Sequence, residues 1–230
     1  MRFEAIIFDF DGVLIESEYE GNVALAALLT SMGHPTSPRE AIQHFTGLSG
    51  RDFIARVEDR IGRTLPPEFH DRTREHRDRV VREGIVAVAG AVDFVRALPA
   101  TLPKAVASSS STRWVRTHLA RLELQDVFEP HVYSGAEHVE RGKPAPDLYV
   151  HAANALGVEI ERSVILEDSK VGAIGALASG ATVIGLAAGR HCFDGHEQML
   201  RAVGIEHIAH SFDEVAALVG LDQASRRSPA

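Results

Sequence analysis

Two carboxylates one residue apart, Asp9 and Asp11, close a short apolar run and are followed at once by Gly12. Burying charge is costly unless it is paired or bound to a cation, so acids at the mouth of a hydrophobic segment point to a site. Three other polar groups sit at comparable places: Ser108 after the apolar run 104–107, Lys143 in the turn Gly142-Lys143-Pro144, and Glu167-Asp168 after the apolar run 163–166. Carboxylates gathered around an open position suit Mg2+, a hard cation that takes oxygen ligands and leaves room for a substrate phosphate. With such a cation present, Asp9 could attack phosphorus and form an aspartyl phosphate. Asp11 could protonate the leaving oxygen and later take a proton from the attacking water. Lys143, the Ser108 hydroxyl and backbone N–H groups around Gly12 would add countercharge to a phosphoryl group in flight. Each piece also has an ordinary reading. Asp-x-Asp-Gly makes turns, Ser111 can cap a helix, a lone lysine is usually solvated, and Glu167-Asp168 suits a helix N-terminus. Their shared placement at strand ends favours one site over four coincidences.

The elements that must position these groups follow from periodicity. Phe3, Ala5, Ile6, Ile7 and Phe8 read as a strand buried on both faces, which belongs in a parallel sheet. Residues 18–33, 51–61 and 67–83 then carry helical patterns, with a capping box at Ser37-Pro38-Arg39-Glu40 opening another helix between the first two and no strand between. The very polar stretch 67–83 reads as a solvated helix face. From there strands and helices alternate: helices over 91–98, 112–124, 146–156 and 170–179, strands over 104–107, 131–133, 163–166 and 181–186, and a second capping box at Ser211-Phe212-Asp213-Glu214. That rhythm implies βαβ units. The expected fold is an α/β, Rossmann-like parallel-sheet core with an inserted all-helical cap: core over 1–15, cap over 16–86, core over 87–222 and a disordered tail over 223–230. In such a sheet the polar strand ends share one edge, where ligands bind.

Bulk properties narrow the class. The 230 residues are 45% hydrophobic and 24% charged, with a formal net charge of −8. That charge argues against a nucleic-acid surface, which needs a basic stripe. A single cysteine, Cys192, forbids an internal disulfide. With no membrane-length apolar stretch and no signal-peptide layout at the start, the expected setting is the cytoplasm, as a monomer or weak homodimer.

The motifs Asp9-Phe10-Asp11-Gly12-Val13-Leu14, Ser108, Gly142-Lys143-Pro144 and Glu167-Asp168-Ser169, in this order, resemble the four signature motifs of the haloacid dehalogenase (HAD) superfamily. The helical insert resembles its C1 cap, and the nearest branch is similar to beta-phosphoglucomutase and the sugar phosphatases. The resemblance implies Asp9 as nucleophile and Asp11 as acid/base. It also implies Mg2+ held by Asp9, the Asp11 carbonyl and Asp168, with Glu167 nearby, and a cap that closes on the substrate. Ser108 and Lys143 complete the implied catalytic set, and Gly12 and Ser109 join the substrate contacts. The segment Phe45-Thr46-Gly47-Leu48-Ser49-Gly50-Arg51 resembles the family's specificity loop, so Gly47, Ser49 and Arg51 are substrate-binding candidates; Ser49 would also serve as a helix cap. The dehalogenases themselves lack the second aspartate. Phosphonate-cleaving relatives need a cap lysine, whereas the three lysines here are Lys104, Lys143 and Lys170. In the mutase a histidine ten residues after the acid/base aspartate controls that aspartate, and Gly21 stands there instead. The implied function is Mg2+-dependent hydrolysis of small phosphorylated metabolites, sugar or sugar-acid phosphates. A sugar-phosphate isomerase and a non-catalytic binding protein on the same fold are the alternatives. Twelve histidines include His191 and His196, which with Cys192 read as exposed loop residues, and Gly172, Gly175 and Gly180 read as packing or helix-ending glycines.

Overall fold

The computed structural model describes residues 3–46 and 50–221. Its centre is a six-stranded, wholly parallel sheet: β1 (Ala5–Phe8), β2 (Lys104–Ser108), β3 (Val132–Ser134), β4 (Ser163–Glu167), β5 (Thr182–Leu186) and β6 (His207–Ala209), in the spatial order β3-β2-β1-β4-β5-β6. Chain direction across the sheet reverses between β1 and β4, and such a switch point opens a crevice beyond the carboxyl ends of those strands. Asp9 and Asp11 leave β1 there, and Glu167 and Asp168 leave β4. Register brings them level, with Phe8 opposite Leu166 and the Asp9 N–H donating to the Leu166 carbonyl at 2.9 Å.

Every residue of β1 is buried, as expected of a strand covered on both faces. Its side chains alternate. Ile6 and Phe8 pack with Phe94 and Val95 of α5 (Ala91–Ala97), Val115 and Leu119 of α6 (Thr112–Arg121), Phe128 of α7 (Gln125–Phe128), and Phe212 and Val215 of α12 (Phe212–Val219). Ile7 faces Leu148, Tyr149 and Ala152 of α9 (Asp147–Ala155), Ala173 and Ala176 of α10 (Lys170–Ala178), and Leu200 of α11 (His196–Ala202). A four-residue helix, α8 (Gly135–His138), follows β3.

Between β1 and α5 lie α1 (Ser17–Ser31), α2 (Pro38–Phe45), α3 (Gly50–Ile61) and α4 (Pro67–Glu83), with their own core of Leu25, Leu28, Leu29, Phe45, Val57, Ile61 and Phe69. The Ser37 capping box forms as expected, the hydroxyl taking the Glu40 N–H and the Glu40 carboxylate taking the Ser37 N–H. The two chain passages joining these helices to the sheet run side by side: Ile15 bridges Ala87, the Glu16 N–H donates to Val86, and the Val88 N–H donates to Leu14.

Several sequence expectations need correction. The helix expected over 112–124 stops at Arg121, because Glu123 turns left-handed at φ 56°, and α7 starts afresh. At Ser211 only half a capping box forms: the hydroxyl takes the Glu214 N–H, but the Glu214 carboxylate takes the N–H of His210. Segments α7, α8, α11 and β6 had no clear periodic signal. The expected tail over 223–230 lies outside the described residues.

Candidate active site

The site is built on the carboxyl edge around β1 and β4. Lys143, whose side chain is 3% exposed, donates to Asp9 Oδ1 at 2.5 Å and to Glu167 Oε1 at 2.9 Å. Its ordinary reading as a solvated charge fails. Burial alone would lower the Lys143 pKa, but Asp9 and Glu167 outweigh it and hold the ammonium charged. The Asp9 carboxyl is pushed up, chiefly by burial and then by Glu167 and Asp168 against the pull of Lys143; Asp168 is pushed up by burial and Glu167.

Glu167 is fully tied down. Oε1 also accepts from the Tyr149 hydroxyl at 3.0 Å, and Oε2 accepts the Ser169 N–H at 2.7 Å and the Ser169 hydroxyl at 3.0 Å. Ser169 in turn caps α10 by accepting the Gly172 N–H. Gly172 has to lack a side chain, because a Cβ there would stand 1.6 Å from Glu167 Oε1.

Asp11 is held apart from this acidic group. Oδ1 accepts from the Ser17 hydroxyl at 2.7 Å and the Trp114 indole N–H at 3.0 Å, and Oδ2 from the Ser110 hydroxyl at 2.6 Å and Ser108 Oγ at 3.3 Å. The Ser110 N–H donates to Ser108 Oγ, which fixes that hydroxyl. Gly12 sits beside Asp168 at φ +84°, where a Cβ would lie 2.1 Å from Asp168 Oδ2. Ser109 is exposed at the end of β2. Gly47 and Ser49 lie outside the described residues, as does the side chain of Arg51, whose backbone is in the first turn of α3.

Asp9, Glu167 and Asp168 present carboxylate oxygens within 4.8 Å of one another. With Lys143 they set three carboxyl groups against one ammonium. Asp168 Oδ1 is buried and has no hydrogen-bond partner among the described residues. A buried, orphaned carboxylate oxygen in an all-oxygen donor set fits a hard divalent cation such as Mg2+. Glu167, with both oxygens engaged, is the member with least to offer such an ion directly.

Sequence reasoning passed over five participants: Ser17, Ser110, Trp114, Tyr149 and His191. The last overturns an expectation. His191 is buried, not an exposed loop residue, and its Nε2 lies 2.8 Å from Asp168 Oδ2. Burial pushes its pKa below the usual histidine range, against the pull of Glu18 and Glu16. His196 likewise opens α11, its pKa lowered to about 4 by burial and by His191. A cavity of about 410 Å³ opens beside this loop, lined by Arg39 and by residues 192–198. Neither Asp9, Asp11, Ser108 nor Lys143 lines it, so it is separate from the acidic centre.

A Rossmann-like sheet with a lysine-bridged carboxylate centre at its switch point, and a helical insert after the first strand, defines a class of α/β enzyme that works on that edge. The chain belongs to the haloacid dehalogenase-like hydrolase family, whose model matches residues 6–186. Its relatives include hexitol phosphatase A of Escherichia coli, 33% identical over 80% of this chain and 83% of that protein. The 6-phosphogluconate phosphatase of the same organism is 29% identical over 83% of this chain and 85% of its own length. A family hydrolase from Deinococcus radiodurans, solved with bound phosphate and sodium, superposes with a TM-score of 0.84 at 32% identity, covering 100% of this chain and 99% of that one. No helix among the described residues is long and apolar enough to cross a membrane.

Proposed function

We propose that this protein is a Mg2+-dependent phosphatase of small phosphorylated metabolites, sugar or sugar-acid phosphates, with Asp9 as nucleophile and Asp11 as general acid and base. The observation that carries the reading is the division of labour between the two aspartates. Asp9 is buried against Lys143 within the acidic centre, while Asp11 is held outside it by four hydroxyl or indole donors. Such a pair, set in different surroundings, suits one nucleophile and one proton carrier.

In the first half-reaction an Asp9 oxygen attacks phosphorus and the bond from phosphorus to the substrate oxygen breaks. Asp11 delivers its proton to that leaving oxygen, giving the free alcohol and an aspartyl phosphate. In the second, Asp11 takes a proton from water, whose oxygen attacks phosphorus; the acyl–phosphate bond breaks and Asp9 is regenerated. In this reading Lys143 and Ser108 neutralise and orient the phosphoryl oxygens, which their contacts with Asp9 and Asp11 support. A bound Mg2+, held by Asp9, Asp168 and the Asp11 carbonyl, would supply charge neutralisation at the same oxygens. The helices of 16–86 act as a cap, hinged at the paired passages of 15–16 and 86–88, that excludes water around the substrate.

The named phosphatase relatives support a small phosphate ester as substrate, and the chain's negative charge supports the absence of a nucleic-acid partner. We place the protein in the cytoplasm as a monomer or weak homodimer. Gly21, beside which a Cβ would meet nothing within 4 Å, gives Asp11 no second controlling side chain, which supports hydrolysis over isomerisation. The test is a panel of sugar phosphates, sugar-acid phosphates and glycolytic intermediates, beta-glucose 1-phosphate among them, with free phosphate and isomers measured together. The expected outcome is phosphate release that EDTA abolishes and Asp9→Asn eliminates. Isomer formed without phosphate, or full turnover in the Asp9→Asn protein, would overturn the reading.

A further inference from the structure

The loop after β5 brings one side chain into the acidic centre that no part of the scheme above uses. His191 and Asp168 have side chains 1% and 3% exposed, with Nε2 2.8 Å from Oδ2. Among the described residues Nδ1 of this ring is buried and without a hydrogen-bond partner, so Nε2 is the ring nitrogen turned to the carboxylate. The carboxylate is thereby divided: Oδ2 faces the imidazole Nε2, and among the described residues Oδ1 has no hydrogen-bond partner.

The surroundings are shaped to this pair. A Cβ on Gly12 would lie 2.1 Å from Asp168 Oδ2 and 3.0 Å from His191 Cε1, and one on Gly189 would lie 2.5 Å from the same His191 atom. Two glycines thus make room for one imidazole. His196 packs edge-on against the ring, 5.4 Å between centres. The loop itself is fastened to the start of α1: the Arg190 N–H donates to the buried Glu16 carboxylate at 2.9 Å, and the Arg190 guanidinium pairs with Glu20 at 3.3 Å and lies over the Tyr19 ring at 3.8 Å. The grouping of His191 with Cys192 and His196 is not an independent cation site, because the His191 nitrogen nearest the thiol, at 3.5 Å, is the one engaged with Asp168.

We propose that His191 is a positioning residue for the metal centre: it holds Asp168 by Oδ2 so that Oδ1 is presented to the cation. The inference rests on the reading of Asp168 as a Mg2+ ligand. Hydrogen bonds from outer residues to ligating groups orient them before the ion arrives, and losing one typically weakens metal binding about 10–100-fold.

Calorimetric titration of the metal-free protein with Mg2+ tests this directly, with Asp168→Asn, His191→Phe, His191→Ala and His191→Gln beside the wild type. Phe fills the ring's volume without an N–H, so it covers the case in which Ala fails to fold; Gln places an amide N–H where Nε2 stands. Expected are Mg2+ affinities about 10–100-fold weaker for His191→Phe and His191→Ala, most of the loss recovered in His191→Gln, and a KM for phosphate ester at saturating Mg2+ that hardly moves. Melting temperatures in EDTA separate this from general loosening. If His191→Phe binds Mg2+ within about twofold of wild type while Asp168→Asn does not, the inference fails and the metal reading stands. It also fails if His191→Gln loses as much as His191→Phe. Wild-type Mg2+ affinity in Asp168→Asn would remove the metal reading itself.

Discussion

Gly172 and Gly21 both lie inside helices, and the structure assigns opposite signs to the same substitution at the two places. Alanine in a helix interior is ordinarily favoured over glycine by about 0.5–1 kcal/mol. At Gly21 the added methyl would meet nothing within 4 Å, so Gly21→Ala should raise stability by about that amount. At Gly172 the methyl carbon would stand 1.6, 2.1 and 2.6 Å from Oε1, Cδ and Oε2 of Glu167. No small adjustment relieves that overlap, and the carboxylate has to give up at least two of its four bonds to Lys143, Tyr149 and Ser169. A hydrogen bond to a charged group contributes about 1.5–3 kcal/mol. Losing two of the four, less the helix gain, destabilises Gly172→Ala by about 3 kcal/mol. In a chain of this size that lowers the melting temperature by roughly 6–12 °C. Urea unfolding in EDTA, with wild type and both variants, measures it, and Lys143, left with one acid partner, should cost activity as well. A Gly172→Ala protein as stable as wild type would refute the packing of Glu167 against α10.

Trp114→Phe removes one donor from Asp11 while keeping the ring's bulk, and turnover should fall about tenfold, the equivalent of roughly 1.4 kcal/mol, with KM and melting temperature nearly unchanged; an unaltered kcat would remove Trp114 from the site. Glu18, pushed up from 4.5 to about 7 by burial and then by Asp168 and Asp11, bears on the stability of the metal-free protein. A carboxyl whose folded pKa is raised stabilises fully below its unfolded pKa, and that contribution is lost as pH rises through the folded one. Stability in EDTA should therefore decline between about pH 4.5 and 7. The ceiling is about 3 kcal/mol at roughly 1.4 kcal/mol per pH unit, and part of Glu18 meets water, so about half of that is expected. Chemical unfolding across this range should give a visibly flatter profile for Glu18→Gln, and an identical slope would exclude Glu18 as the cause.

What could be read beforehand was whatever a short window records. The strand before Asp9 announced itself because five of seven residues are apolar and acids follow. The Ser37 box and the bounds of α4 were legible because caps and prolines act within one turn. The catalytic candidates were legible only as strand ends in a fixed order, since no window links Lys143 to Asp9, 134 residues away, or Trp114 to Asp11, 103 residues away. The Tyr149 ring packs in the apolar face of α9; only its hydroxyl, reaching Glu167, belongs to the site. The segment 189–196 misled most, because glycine, arginine, histidine and aspartate together have the composition of a solvated loop. At His191 burial is imposed from outside, by Asp168 facing the imidazole and by the buried Glu16 taking the neighbouring Arg190 N–H, so one polar side chain of an otherwise part-exposed loop is drawn into the interior by buried acidic partners. Residue type describes the cost of burying a group; the partner that offsets the cost is what decides whether it is buried. Functional residues in this fold are therefore hardest to read where both members of a pair are polar, as at His191 and Asp168, since each makes the other's burial possible.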